Sequence, residues 1–270
     1  MISIIAGTGT LPLQACKSLL EQNKNFFVIC LFPENNLKQI KNIIKNNARV
    51  YSQKFYKASN IKKLLLEKQT KQVLFIGKVD KRNLLKRIKL DWLAIKLLAQ
   101  TTCKCDNSIL DVLINYLKKF NIEVINQNEI LQSLFVKPGI LTGKINEKLK
   151  NEIDFGIQKA IEISHCNIGQ TVVIKDKMVV AVEAIEGTDE CIKRGIELAT
   201  DHIVICKAAH KNQNKKYDLP TLGPNSLKNF KKGQIKAIAW LSNKTFITDK
   251  DEFIRKAQEL NITLASIEKP

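Results

Sequence analysis

The chain has 270 residues, 44% of them hydrophobic, and a formal net charge of +18. This length and apolar content allow one large or two ordinary globular domains, while no apolar run reaches the ~18 residues of a membrane-spanning helix. Only five of the 44 basic residues are arginine, and the charge is spread along the chain, which disfavours a nucleic-acid-binding protein.

Strands and helices alternate over the first half of the chain. Apolar runs predict strands at 2–6, 26–31, 72–76 and 122–125, and helical spacing predicts helices at 11–20, 37–46, 61–69, 84–98 and 108–120. This alternation implies a mainly parallel α/β sheet. We therefore predict an N-terminal Rossmann-like α/β domain over residues 1–136, which ends before the break at Lys137-Pro138-Gly139.

The second half has a different pattern. A long helix is predicted at 146–164, and a hairpin at 171–174 and 178–182 with Lys175-Asp176-Lys177 as its turn. A helix at 190–199 and a strand at 203–206 follow, and strands at 235–239 and 245–247 with a helix at 250–259 complete the pattern. We predict a C-terminal α+β domain over residues 137–270, with the site in the cleft between the two domains.

A glycine turn follows the first predicted strand. Gly7, Thr8, Gly9 and Thr10 lie between this strand and the next helix, where backbone N–H groups and the helix dipole favour phosphate. The third glycine of the dinucleotide fingerprint is missing, so a nucleotide-binding turn and a purely structural turn remain alternatives. Gly77-Lys78 ends another strand and also suits an anionic ligand.

Polar loops also follow strands in the second half. One contains Glu186-Gly187-Thr188-Asp189, and the other is the basic stretch 207–223. In that stretch Asp218 lies two residues before Pro220, which favours extended backbone just before it. A phosphate and metal site is one interpretation of this loop, and a solvated loop is the other.

Four blocks of sequence together resemble one known family. They are residues 5–12, residues 75–79, residues 168–171 together with 182–189, and residues 207–223, whose centre is Asp218-Leu219-Pro220-Thr221-Leu222-Gly223. The chain resembles the LpxI-type UDP-2,3-diacylglucosamine pyrophosphatases of lipid A biosynthesis over almost its whole length. The last two blocks carry most of the specificity, because a glycine turn alone is common.

The resemblance implies a Mg²⁺-dependent hydrolase of a Gram-negative bacterium. It would cleave UDP-2,3-diacylglucosamine to UMP and 2,3-diacylglucosamine 1-phosphate, with water attacking the α-phosphorus. Asp218 matches the essential acid of the family, and we expect it to bind Mg²⁺ with Asp189 or to activate water. The expected substrate-binding residues are Gly7, Thr8, Gly9, Thr10, Gly77, Lys78, Glu186, Gly187, Thr188, Asp189, Lys207 and Thr221.

The sequence departs from the family pattern beside Asp218. Asn214 stands where the family has an acid, and Lys216 stands where it has an arginine. A lysine at 216 cannot bind phosphate through the paired hydrogen bonds of a guanidinium. These changes keep open a second hypothesis, a nucleotide or lipid-phosphate binding protein without hydrolysis. Seven cysteines, mostly in apolar runs, favour reduced thiols and a cytoplasmic protein. Peripheral contact with the inner membrane and homo-oligomer formation are left open.

Overall fold

The structure is a computed structural model that describes residues 1–45, 47–79, 90–101, 106–209, 216, 219–228 and 230–268. It contains two compact units, of which the first runs from Met1 to Gln132 and the second begins at Ser133. Within the described ranges, no helix is long and apolar enough to cross a membrane.

The first unit contains a five-stranded parallel sheet of order β3-β2-β1-β4-β5. Its strands are β1 Ile2–Ala6, β2 Phe26–Cys30, β3 Val50–Ser52, β4 Gln72–Ile76 and β5 Glu123–Val124. Its helices are α1 Leu11–Glu21, α2 Pro33–Ile44, α3 Ala58–Glu67, α4 Trp92–Leu98, α5 Asp106–Lys118 and α6 Gln127–Ile130. The parallel α/β sheet predicted from the alternating pattern is confirmed.

The first unit has its core between sheet and helices. Ile5, Ile29 and Val73 on the strands form one buried cluster with Leu65 of α3 and Ile114 of α5. Apolar side chains on both sheet and helices make this packing favourable, since each element buries an apolar stripe.

The second unit contains a separate mixed sheet of order β6-β13-β11-β9-β7-β8. Its elements are β6 Gly139–Thr142, α7 Glu147–His165, β7 Thr171–Lys175, β8 Met178–Val182, α8 Thr188–Ala199, β9 Ile203–Lys207, β10 Thr221–Leu222, β11 Ile235–Leu241, β12 Phe246–Ile247, α9 Lys250–Glu259 and β13 Thr263–Ile267. β10 and β12 form a small parallel sheet of their own. The predicted hairpin is confirmed, because β7 and β8 pair antiparallel.

Helices cover both faces of the six-stranded sheet. Val204 and Cys206 of β9 pack with Ile157 of α7, whereas Ile203 and Ile205 lie in the cluster that contains Cys191 of α8 and Phe253 of α9. Successive strand residues point to opposite faces, so Lys207 continues the alternation of Ile203 and Ile205. Its side chain is therefore directed to the face that α8 covers.

Candidate functional site

The first candidate region lies where the strand order of the parallel sheet reverses. From β1 the chain first builds β2 and β3 on one side, then returns to add β4 on the other side of β1. Ligands of open α/β sheets bind outside the carboxyl ends of the strands at such a reversal. Gly7–Thr10 follows β1 and Gly77-Lys78 follows β4, so both predicted loops lie at this point.

The two loops are joined by backbone hydrogen bonds. The Thr8 N–H donates to the Lys78 carbonyl at 2.8 Å, and the Lys78 N–H donates to the Thr8 carbonyl at 2.9 Å. A Cβ on Gly7 would stand 2.5 Å from the Lys78 carbonyl oxygen, so this close approach requires glycine. The structure thus brings Gly7, Thr8, Gly77 and Lys78 together, with the Lys78 side chain exposed.

A buried asparagine holds the same loop from the other side. The side-chain amide of Asn36, on α2, donates to the carbonyls of Gly7 at 2.9 Å and Gly9 at 3.1 Å. Asn36 is only 5% exposed. The sequence does not single out Asn36, because asparagine is abundant along this chain and nothing local marks one copy as buried.

The start of α1 offers unused hydrogen-bond donors. Thr10 occupies the N-cap without a side-chain cap hydrogen bond. The N–H groups of Gly9, Thr10 and Leu11 donate to no backbone acceptor among the described residues. Such free N–H groups, together with the positive end of the helix dipole, form a site that favours phosphate.

The second candidate region is a row of side chains across three strands of the mixed sheet. β7 lies between β8 and β9. Thr171 is the register partner of Lys207 on β9, and its carbonyl accepts from the N–H of Glu183, just after β8, at 2.9 Å. Since neighbours in one row share a face, Glu183, Thr171 and Lys207 lie side by side.

The ammonium of Lys207 is buried and engaged within this row. Lys207 is 4% exposed, and its Nζ donates to the hydroxyls of Thr171 at 3.1 Å and Thr188 at 2.6 Å. The Nζ lies 3.9 Å from Oε2 of Glu183. The Thr188 hydroxyl in turn donates to Oε1 of Glu183 at 2.9 Å, so this hydroxyl bridges the two charged groups.

The Glu183 carboxylate is held in its charged form. Its Oε2 accepts from the Gln170 N–H at 3.3 Å, in addition to the bond from Thr188. Burial by itself raises the pKa of Glu183, but the Lys207 ammonium and the surrounding donors outweigh burial and leave that pKa below its ordinary value. Glu183 is not among the site residues that the sequence predicts.

The remaining residues of the loop before α8 lie at its exposed N-terminal end. Gly187 adopts φ 84 at the N-cap position, where glycine avoids the strain of a left-handed backbone. Glu186 forms an ion pair with Arg194 at 2.8 Å. Asp189 lies in the first turn of α8 with an exposed side chain, in a position where the helix dipole favours an acid.

Two further predicted residues are the metal candidate Asp218 and Thr221. Asp218 lies outside the described residues, as does Asn214. Thr221 begins β10, pairs with Phe246, and donates its hydroxyl to the Leu219 carbonyl at 3.4 Å. Over the part of the chain that the structure describes, no group of three or more His, Cys, Asp or Glu side chains is placed to hold a metal ion.

Comparison with known proteins places both halves of the chain in one family. The model of the LpxI N-terminal domain matches residues 1–134, and that of the LpxI C-terminal domain matches residues 137–265. The chain is also 26% identical over 175 residues to the UDP-2,3-diacylglucosamine pyrophosphatase LpxI of Caulobacter vibrioides. That alignment covers 61% of this chain and 62% of the relative, which is less than two thirds of the relative's length.

Proposed function

The chain belongs to the LpxI family, and from this premise we propose that it hydrolyses the diphosphate of UDP-2,3-diacylglucosamine. The products would be UMP and 2,3-diacylglucosamine 1-phosphate, and water would attack the α-phosphorus. The observation that carries the proposal is the uncapped start of α1 beside the bridged Thr8 and Lys78 backbones, because this geometry suits a phosphate group.

In this proposal the loop at the start of α1 binds the diphosphate. The N–H groups of Gly9 and Thr10 donate to phosphate oxygens, and the exposed ammonium of Lys78 adds a positive charge beside them. Asn36 positions the loop, since its amide holds the carbonyls of Gly7 and Gly9. These carbonyls are then engaged by a protein donor rather than left to repel the phosphate.

The row around Lys207 contributes a positioned set of polar groups. Because the Lys207 ammonium is compensated by Glu183 and by two hydroxyls, its position is fixed at low exposure. We propose that Lys207 and Thr188 hold the start of α8 and with it Asp189. The sequence predicted that Lys207 contacts phosphate, whereas this proposal gives it a positioning role, because its ammonium is already engaged by Thr171, Thr188 and Glu183.

We further propose that the reaction uses Mg²⁺, held by Asp218 and Asp189. Three acids lie between the end of β8 and the first turn of α8. Glu183 is engaged by Lys207 and Glu186 by Arg194, whereas Asp189 is exposed at the start of α8. Carboxylate oxygens are suitable Mg²⁺ ligands, so Asp189 fits this role. Mg²⁺, when bound, would offset charge on the phosphate oxygens. The alternative role for Asp218 is to orient the water and accept its proton.

The test is UMP release from UDP-2,3-diacylglucosamine by the purified protein, with Mg²⁺ and with EDTA. We expect release that needs Mg²⁺ and falls at least ~100-fold in Asp218→Asn, since loss of a group that moves a proton costs about 10²–10⁴ in rate. Asp201→Asn is the matched control, because Asp201 pairs with Lys175 at the opposite end of β7. Release should be unchanged in that variant.

The second candidate function is nucleotide or lipid-phosphate binding without turnover. Asn214 favours it, because an amide in place of the family's acid removes one charge beside the proposed metal site. In the same experiment, wild-type protein that binds the substrate but releases no UMP would establish this alternative. If the wild-type protein neither binds the substrate nor releases UMP, both functions are refuted.

A further inference from the structure

Helix α4 presents an apolar stripe to solvent although its opposite face is already packed. Leu93, Ala94 and Leu97 are buried, at 8%, 8% and 6% exposure. On the other face Trp92 is 73% exposed and Ile95 is 54% exposed. Their spacing of three residues places them on one side of the helix. The stripe is therefore additional to the core-facing side of α4.

The orientation of this helix is fixed by one carboxylate. Asp91 accepts at Oδ1 from the Ala94 N–H of α4 and at Oδ2 from the Ser59 N–H of α3, both at 2.8 Å. Its own N–H donates to the Tyr56 carbonyl at 3.2 Å. One side chain thus caps two helices, so the outer face of α4 is held toward solvent by the first unit itself.

Lysine side chains lie at Trp92 and at the nearby Tyr56. The Lys96 ammonium lies 5.1 Å from the centre of the Trp92 ring. Lys54 and Lys57 lie 5.7 and 5.9 Å from the ring of Tyr56, whose carbonyl accepts from Asp91. Along the sequence, positions 78–104 hold eight Lys and Arg against two Asp. An apolar stripe with a lysine beside it, in a segment of basic sequence, is complementary to an anionic apolar interface.

We propose that the outer face of α4, formed by Trp92, Ile95 and Lys96, docks on the surface of an anionic phospholipid bilayer. Tryptophan prefers the boundary between headgroups and acyl chains, an apolar helix face inserts at that depth, and lysines bind anionic headgroups. A second copy of this chain fits the face less well, since each copy carries a formal charge of +18. This docking surface goes beyond the proposed hydrolysis.

Tryptophan fluorescence tests the proposal directly, because the chain has two tryptophans in opposite environments. Trp92 is exposed, whereas Trp240 is fully buried in β11. The purified protein is titrated with vesicles of phosphatidylcholine, or of phosphatidylcholine with phosphatidylglycerol, without any nucleotide sugar. We expect the emission to shift to the blue with the anionic vesicles, and this shift to disappear in Trp92→Phe.

Co-sedimentation with the same vesicles measures the affinity. The double variant Trp92→Ser with Ile95→Ser should lower the partition coefficient at least ~10-fold, because it buries less apolar side-chain area in the bilayer. Lys96→Gln should lower it roughly fivefold, and only with anionic vesicles. Leu198→Ser is the matched control, since Leu198 is 65% exposed but lies on α8 of the second unit. Its affinity should equal that of the wild type.

Three outcomes would overturn the docking surface. These are absence of binding to anionic vesicles, equal binding by the double variant, and a blue shift that rises with protein concentration without vesicles. The last outcome would assign the face to a second copy of the chain. Because the assay contains no substrate, a failure here is distinct from a failure of the UMP-release experiment. Far-UV circular dichroism and a thermal unfolding curve like those of the wild type show that each variant is folded, since Trp240 lies in the second unit and α4 in the first.

Discussion

The two candidate regions reach a fixed geometry by opposite means. The loop after β1 is built from backbone, with Thr8 and Lys78 paired through their peptide groups and Asn36 holding two carbonyls. The row in the second unit is built from side chains, with Lys207 and Glu183 buried and joined through Thr188. One region depends on close approach of the main chain, and the other on compensation of charge.

The difference has a chemical consequence. Backbone pairing leaves the N–H groups of Gly9 and Thr10 free of backbone acceptors among the described residues, so the first region has donors to offer an anion. In the second region the Lys207 ammonium already has three partners within 4 Å. We infer that the first region binds and the second positions, and the following variants test this distinction.

Removing the negative charge of the buried row should have the largest effect. Glu183→Gln removes the carboxylate charge 3.9 Å from the buried Lys207 ammonium, which should cost about 3–5 kcal/mol of unfolding free energy. Urea unfolding followed by Trp240 emission, in a Trp92→Phe background, reports on the second unit. Adding Lys207→Met should restore much of the loss. A loss in Glu183→Gln below ~1 kcal/mol, as for a surface pair, would refute the charge-compensation account.

A methyl group at the close approach in the first unit should have the next largest effect. Gly7→Ala places a Cβ 2.5 Å from the Lys78 carbonyl oxygen, which should separate the two loops and cost about 1–3 kcal/mol. Hydrogen exchange at the Thr8 and Lys78 amides would detect the separation, and UMP affinity should fall with it. Protected amides in the variant would contradict the backbone-built geometry.

Gly9→Ala is the matched comparison within the same loop. Apart from its chain neighbours, no described residue has an atom within 4 Å of a Cβ at this position, so the backbone conformation, φ +94, is what opposes the substitution. The Thr8 and Lys78 amides should therefore stay protected in Gly9→Ala.

Loss of the asparagine that holds the loop should have a smaller effect. Asn36→Ala removes the donors to the Gly7 and Gly9 carbonyls, which should cost about 1–2 kcal/mol. If Asn36 positions the phosphate loop, calorimetry should show weaker UMP binding as well as lower stability. Asn60→Ala, at an exposed asparagine of α3, should change neither quantity. Unchanged UMP affinity in Asn36→Ala would leave Asn36 a purely structural residue.

The pH dependence of stability should show the smallest effect. The pKa of Glu183 in the folded protein lies below its ordinary value, so its contribution to stability is complete above the ordinary pKa and is lost as pH falls through the folded pKa. One proton accounts for at most about 1.4 kcal/mol per pH unit. Below pH ~4.5, unfolding free energy should therefore fall more steeply for wild type than for Glu183→Gln. Equal slopes would show that Glu183 titrates normally.

Much of the fold was predictable because its signals are local. The hairpin of β7 and β8 followed from its polar turn, where Asp176 and Lys177 adopt φ values of 47 and 60. Helix α2 was predicted to begin at residue 37 but begins at Pro33, a residue that suits the first helical position. β3 and β6 were missed, since strands of three and four residues carry little periodicity.

The site was predictable only in part. Alternation along β9 was enough to place Lys207 on one face, and the strand–turn–helix order was enough to place Gly7–Thr10 near a helix N-terminus. The acid that would face Lys207 was not predictable, because two candidates, Glu183 and Glu186, lie in the same loop. Register across three strands decides between them, and register depends on the whole sheet.

The sequence by itself determined the two-part α/β organisation, the glycine turn and the family. Periodicity, turn residues and motif blocks depend only on residues that are close to one another along the chain. Only the tertiary structure decided that Asn36 holds the loop after β1, that Glu183 compensates Lys207, and that Trp92 faces solvent. Each of these outcomes depends on which distant segment lies beside the residue. Packing and strand register set that neighbour, and no local pattern encodes it.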